Sequence, residues 1–255
     1  MTPRIRRSIL FIHTRKTNVY NDLLPPGVGS HRAHRCGYSE HMADETTLTR
    51  ITVAPAGPYI IEGISGVTGA DGQAVPPQPR MALCRCGQSA SKPFCDGAHT
   101  AHGFAGETAA QVATSKTRLY RGQELTVSYN RTICAHAAAC VTGLPAVFDM
   151  NARPWIQPDN AEAEAVIETI RACPSGALNY SIEGQTPADP RTTTAITVQP
   201  NGPLAIDGPA ELVGDGIQRA DGGADTKCTL CRCGASGSIP FCDGSHVTCG
   251  FQDPA

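Results

Sequence analysis

Two stretches of the chain carry the same four residues at the same spacing. Cys84, Cys86, Cys95 and His99 follow C-x-C-x8-C-x3-H, and Cys231, Cys233, Cys242 and His246 repeat the pattern without a gap. Three thiolates and one imidazole form a set of four soft or borderline ligands, enough for zinc or for a two-iron cluster. The spacing favours the cluster. Thiolates one residue apart on an extended backbone can both reach one iron, whereas zinc knuckles more often separate their cysteines by two to four residues. A glycine follows each C-x-C pair (Gly87, Gly234), and another follows each third cysteine (Gly97, Gly244). These glycines would let the backbone pass close to sulfide.

A third set lies between the two. Cys134 and Cys140 form C-x5-C, and Cys173-Pro174 stands downstream. A four-iron ferredoxin run reads C-x2-C-x2-C with a distant C-P. Aligning the ends puts Ala137 where the middle cysteine belongs. Each iron takes one protein ligand, so three cysteines point to a 3Fe–4S cluster, with 4Fe–4S open if another group completes the set. His136 stands one position early for that role.

Cys228 aligns with Met81 and Cys249 with His102, while Cys36 has no counterpart. These three are read as non-ligands. The C-x-C pairs beside a histidine argue against a disulfide framework. No nucleotide-binding glycine loop, nucleophile–base pair or cofactor lysine is recognisable, so no enzymatic activity is expected.

The elements that must position these residues also repeat. ITVAPAGPYIIEG at 51–63 matches ITVQPNGPLAIDG at 196–208 in eight of thirteen positions. The cysteine segments 84–104 and 231–251 match in fourteen of twenty-one. Alternation at Ile51 and Val53, and at Ile196 and Val198, predicts a strand. Gly57-Pro58 and Gly202-Pro203 turn the chain into a second strand, Tyr59–Ile61 or Leu204–Ile206. A short helix is expected after Asp96 and after Asp243. In the middle segment, Leu125, Val127 and Tyr129 predict a strand, as do Leu178, Tyr180 and Ile182. Val166, Ile167 and Ile170 share a helix face. Asp159 with Glu162 reads as a capping box opening that helix, and Pro174 must end it.

The repeated segments closely resemble the CDGSH iron–sulfur family. CDGAH at 95–99 and CDGSH at 242–246 carry the resemblance, each preceded by Pro-Phe. It implies one 2Fe–2S cluster per copy. Cys84 and Cys86 would hold the inner iron and Cys95 and His99 the outer, with Cys231, Cys233, Cys242 and His246 repeating this. Ala98, where the family motif has serine, removes one hydroxyl hydrogen bond. The middle segment resembles divergent mono-cluster ferredoxins.

The fold expected is α+β. Two small β-rich CDGSH-type units form a pseudo-twofold lobe, with an inserted ferredoxin-like unit. The boundaries are 46–110, 118–185 and 192–255. Residues 1–45 form a disordered extension or follow an upstream start. A lone unit of this size buries too little surface to stand comfortably alone, and single-copy family members form dimers. Two copies in one chain therefore imply an intrachain pseudo-dimer and a monomeric protein.

Composition bounds the function further. Aromatics make up 5% of the chain, which suits thin cores stapled by metals. Residues 1–41 carry a charge of +5 and the remainder −7. An acidic body gives no support to nucleic-acid binding and would suit a basic redox partner protein of unknown identity. Ile9–Ile12 is far too short for a membrane span, and the charged residues after it leave no export signal behind Arg6-Arg7. The reading is a cytoplasmic electron-transfer protein. An iron–sulfur carrier or pH/redox sensor, and a zinc-stapled interaction module, are the alternatives.

Overall fold

A computed structural model describes residues 48–107, 117–217 and 223–253. The expectations for residues 1–45, including Cys36, lie outside the described residues. The described chain is β-rich with few and short helices, an α+β arrangement.

The first repeat contributes β1 (Thr49–Val53), β2 (Tyr59–Glu62), β3 (Val67–Thr68), β4 (Ala74–Val75), β5 (Arg80–Leu83) and the one-turn helix α1 (Ala98–Ala101). The middle segment contributes β6 (Thr117–Arg121), β7 (Thr126–Asn130), α2 (Ala139–Gly143), α3 (Ala163–Arg171) and β8 (Leu178–Ser181). The second repeat contributes β9 (Ala195–Val198), β10 (Leu204–Asp207), β11 (Ala210–Val213) and β12 (Lys227–Leu230). A single 3-10 turn, Ser245–Val247, stands where the first repeat has α1.

Each repeat lends a strand to the other. One sheet runs β11-β1-β2-β5 and another β12-β10-β9-β3-β4. The crossing pairs are parallel: Ile51 faces Leu212 in β1–β11, and Val67 faces Ile196 in β3–β9. Within each repeat the Gly-Pro turn closes an antiparallel hairpin, Ile51 opposite Ile61 and Ile196 opposite Ile206. The inward side chains form one core holding Ile51, Tyr59, Ile61 and Leu83 together with Ile196, Leu204, Ile206 and Leu230. Neither repeat buries these residues alone, because each sheet is completed by a strand from the other.

The middle segment has its own sheet, β6-β7-β8, and its own core around Val127, Phe148, Val166, Ile170 and Leu178. Strand β6 was not among the sequence expectations. Helix α3 buries Val166, Ile167 and Ile170 as its periodicity predicts, and it ends before Pro174.

The capping box does not form. Asp159 sits in a 3-10 turn, Pro158–Asn160, and its carboxylate accepts the Gln123 N–H at 2.7 Å. Ala161 is extended, so the helix begins only at Ala163, and its N-cap Glu162 makes no side-chain cap bond. Proline favours the turn here, and the turn withdraws Asp159 from the helix start.

The middle segment rests against the second repeat. The Ala224 N–H donates to the Gly176 carbonyl at 3.0 Å. The buried Lys227 ammonium donates to the carbonyls of Arg171 and, at 3.3 Å, of Cys173. A cation at the open carbonyl end of α3 satisfies both the hydrogen-bonding vacancy and the helix dipole.

Candidate metal centres

In the first repeat, β5 delivers Cys84 and Cys86 into the interior. The Cys84 N–H donates to the Pro93 carbonyl and the Cys95 N–H to the Ala82 carbonyl, so the two halves of the loop are laced together. The Asp96 carboxylate accepts the N–H groups of Ala90 and Ala98, and the Ser89 hydroxyl donates to the Phe94 carbonyl. The second repeat copies this set with Asp243, Gly237, Ser245, Ser236 and Phe241. Ser245 adds a hydroxyl bond to Asp243 that Ala98 cannot offer to Asp96.

The ligand candidates fall into pairs. Cys84 Sγ and Cys86 Sγ are 3.6 Å apart, as are Cys231 Sγ and Cys233 Sγ. Cys95 Sγ lies 3.3 Å from His99 Nδ1, and Cys242 Sγ 3.4 Å from His246 Nδ1. Two thiolates on one tetrahedral metal, each about 2.3 Å from it, stand about 3.8 Å apart. The sulfur pairs are close to that edge. Among the described residues, no three His, Cys, Asp or Glu side chains converge on one point as a single ion's shell requires.

Electrostatics fit an iron-holding role. Burial pushes the Cys86 thiol up and the Cys242 thiol up to about 12. Within the Cys231–Cys233 pair, the hydrogen bond between the sulfurs brings Cys231 down to about 7 and holds Cys233 well above its ordinary range. The raised thiols, Cys86, Cys233 and Cys242, ionise readily only when a cation lies among them, so the donor set suits a metal that displaces their protons. Burial, and then the charge of Arg232, depresses the His246 imidazole and keeps it neutral for ligation.

The sequence reading missed two residues that shape these sites. Arg85 and Arg232, the central residues of the two C-R-C tripeptides, are each only 2% exposed. Arg85 donates to the carbonyls of Gly57, Ala54 and Gly106. Arg232 donates to those of Gly202 and Gln199 and to the Asp253 carboxylate. Each guanidinium ties the Gly-Pro turn to the cysteine loop and lies over the terminal phenylalanine ring, Phe104 or Phe251. Their identity in both copies was the available signal.

The glycines after the C-x-C pairs serve a different purpose from the one expected. A Cβ on Gly87 would meet the Cys233 carbonyl oxygen at 2.6 Å, and one on Gly234 the Cys86 carbonyl oxygen at 2.8 Å. What passes close is the other repeat's backbone, and an antiparallel bridge joins Cys86 to Cys233 there.

In the middle segment, Cys134, Cys140 and Cys173 are brought within electrostatic reach of one another. Burial, then the charges of Cys173 and Cys134, push Cys140 up to about 11, and burial also raises Cys134. Cys134 follows the 3-10 turn after β7, Cys140 lies in α2, and Cys173 follows α3. His136 lines the same cavity as Cys134 and Cys140. Its ring lies against the second repeat, where a Cβ on Gly244 would meet its Cδ2 at 2.5 Å. The middle site and the second repeated site are thus neighbours, and Cys134 contributes to the field at Cys242. Gly97, the counterpart of Gly244, has nothing within 4 Å of its position. Cys228 is buried in the core, and Cys249 is exposed beside His246.

Comparison with known proteins agrees with this division. The model described as "Iron-binding zinc finger CDGSH type" matches residues 56–100 and 201–247. The model described as "Divergent 4Fe-4S mono-cluster" matches residues 120–183 between them. The chain carries two CDGSH-type domains flanking a divergent mono-cluster domain, and it is an iron–sulfur binding protein. The uncharacterized protein YjdI of Escherichia coli strain K12, and its namesake in strain O157:H7, are 41% identical to it over 63 residues. That stretch is 25% of this chain and 83% of theirs. No solved structure matches. Among the described residues, no helix is long and apolar enough to cross a membrane.

Proposed function

We propose that the chain is a three-centre electron-transfer protein without enzymatic activity of its own. Cys84, Cys86, Cys95 and His99 would hold one 2Fe–2S cluster, and Cys231, Cys233, Cys242 and His246 a second. Cys134, Cys140 and Cys173 would hold a 3Fe–4S cluster. The paired ligands, two sulfurs and then a sulfur with a nitrogen, suit two irons better than one zinc. Bound clusters supply one-electron chemistry. The chain's own residues bury Cys84, Cys86 and Cys231, half-bury Cys233 and present the histidines outward.

The observation that carries the reading is the adjacency of the three sites. His136 meets Gly244 across the middle and second sites, and Cys86 is bridged to Cys233 across the second and first. Electron transfer falls steeply with distance, so sites set side by side suit that work better than storage. The strand exchange β1–β11 and β3–β9 supports a pseudo-twofold lobe within one chain, hence a monomer with the middle unit docked on the second repeat.

Anaerobically purified protein should contain about seven irons per chain, two, two and three, with matching acid-labile sulfide. Stoichiometric zinc without visible absorption would overturn the reading. Light scattering should report a monomer.

A further inference from the structure

Beside the middle cysteines the surface is dished into a half-open cavity of about 1020 Å³. Cys134 and Cys140 line its floor. Arg118, Arg131 and Arg153 stand around it, and no aspartate or glutamate lines it. None of the three arginines meets a carboxylate among the described residues; Arg153 bonds only to backbone carbonyls at Met150 and Ala152. Leu119 and Met150, 58% and 63% exposed, flank the arginines. Trp155 holds the wall, edge-on to Tyr129 at 5.0 Å and to Tyr120 at 6.3 Å.

We propose that this dish is the docking surface for an acidic one-electron carrier protein. The proposal rests on the electron-transfer reading and names the partner's chemistry. Arginine, tyrosine, tryptophan and methionine around an open, partly apolar depression are the residues that dominate protein–protein contacts. A small-molecule pocket would enclose most of its ligand, and this one is half open with exposed walls. Charge selects the partner. The chain as a whole carries −2, which would suit a basic partner. The face over the middle cysteines is the reverse, with three guanidiniums that meet no carboxylate among the described residues and whose planar forks match carboxylates. Entry or exit of electrons at the middle site is the arrangement this surface serves.

The test measures binding of the cluster-loaded full-length protein to two probes, a flavodoxin as the acidic carrier and cytochrome c as a basic one. Biolayer interferometry between about 0.05 and about 0.3 M salt should show flavodoxin binding that weakens as salt rises. Arg118→Glu with Arg153→Glu should weaken it at least about tenfold and flatten its salt dependence, since each charge-assisted contact accounts for about that factor. Iron content and the middle site's paramagnetic resonance spectrum, measured on the same sample, should stay as in the wild type. Arg80→Glu, on β5 of the first repeat and outside the cavity's lining, should leave binding unchanged. Unchanged flavodoxin binding in the double variant would overturn the proposal. So would a double variant whose middle-site spectrum changes while binding persists, because the arginines would then only balance the thiolates. Preferential binding of cytochrome c would overturn it too, as would stoichiometric capture of inorganic phosphate that blocks flavodoxin. Zinc in place of iron would sink the electron-transfer reading while leaving the binding result to stand or fall alone.

Discussion

The Tyr59 hydroxyl lies 2.9 Å from the carbonyl oxygens of both Cys231 and Pro240, so a residue of the first repeat completes the cysteine loop of the second. The counterpart position in the second repeat is Leu204, which returns no such bond to the first site. The two sites are therefore alike in ligands and unlike in support. Tyr59→Phe leaves the ring in the core and removes the hydroxyl that the Cys231 and Pro240 carbonyls share, while Pro240 keeps the Cys231 N–H, at a cost of about 1–3 kcal/mol. The variant should lose iron from the second site faster than from the first. Visible absorption and resonance spectra followed during mild chelation would show one cluster departing early. Equal loss from both sites would show that the hydroxyl does not serve the second loop selectively.

Gly244 and Gly97 should respond unequally to alanine. Both have φ of +89°, so both substitutions carry the strain of a left-handed side chain, about 1–2 kcal/mol. Only at Gly244 does the new methyl also collide, 2.5 Å from His136. Gly244→Ala should shift the middle unit's seat on the second repeat, and resonance coupling between the two clusters should weaken. Gly97→Ala should leave that coupling intact. His136→Ala introduced into Gly244→Ala should restore part of the lost stability, which calorimetry would measure.

The hairpins of both repeats were legible because a two-residue alternation and a Gly-Pro turn are local signals. The exchange of β3 and β11 was not, since a two-residue strand such as Val67–Thr68 has no periodicity to read. Strand β12, Lys-Cys-Thr-Leu, is buried at all four positions although half of it is polar. Its lysine is buried because it ends a helix from another segment, a relationship no window of sequence contains. The Cys84–Cys86 and Cys231–Cys233 pairs were legible from spacing, whereas the pairing of Cys95 with His99 and of Cys242 with His246 came from the family resemblance. Arg85 and Arg232 were overlooked because a charged residue between two cysteines reads as exposed, and only the fold reveals three carbonyls converging on Arg85, and two carbonyls with the Asp253 carboxylate on Arg232.

Arg232 and Asp253 give a pH prediction. Burial alone would raise the Asp253 carboxyl, but hydrogen bonds from Arg232 and from the Asn201 N–H, with the arginine's charge, hold it below the ordinary carboxylate range. A carboxyl lowered on folding stabilises the fold above its unfolded value, near about 3.9, and that contribution is lost as pH falls through the folded value. Asp253→Asn should therefore be less stable than the wild type at neutral pH, and the gap should close below about pH 4. A gap constant from neutral pH to pH 3 would show that the pair contributes no charge-dependent stability. Arg85, which meets carbonyls only, provides the contrast, and no acid-sensitive partner is lost with it.

The histidines supply the last prediction. Imidazole is neutral where thiolate is anionic, so a histidine at the outer iron favours the reduced cluster and raises its potential, as two do in Rieske centres. His99→Cys and His246→Cys should each lower the potential of their own cluster and slow its loss in acid, because a protonatable neutral ligand is replaced by an anionic one. The two substitutions should differ in reach. His246 shares its surroundings with Arg232 and with His136 of the middle site, whereas Gly97 beside His99 faces open space. Replacing His246 adds negative charge next to the middle thiols and should lower the middle cluster's potential as well. Replacing His99 should leave it where it was. Redox titration followed by paramagnetic resonance resolves the centres separately. Unchanged potentials in both variants would remove histidine from the ligand set, and a middle centre that ignores His246→Cys would show that the two neighbouring sites are electrostatically independent.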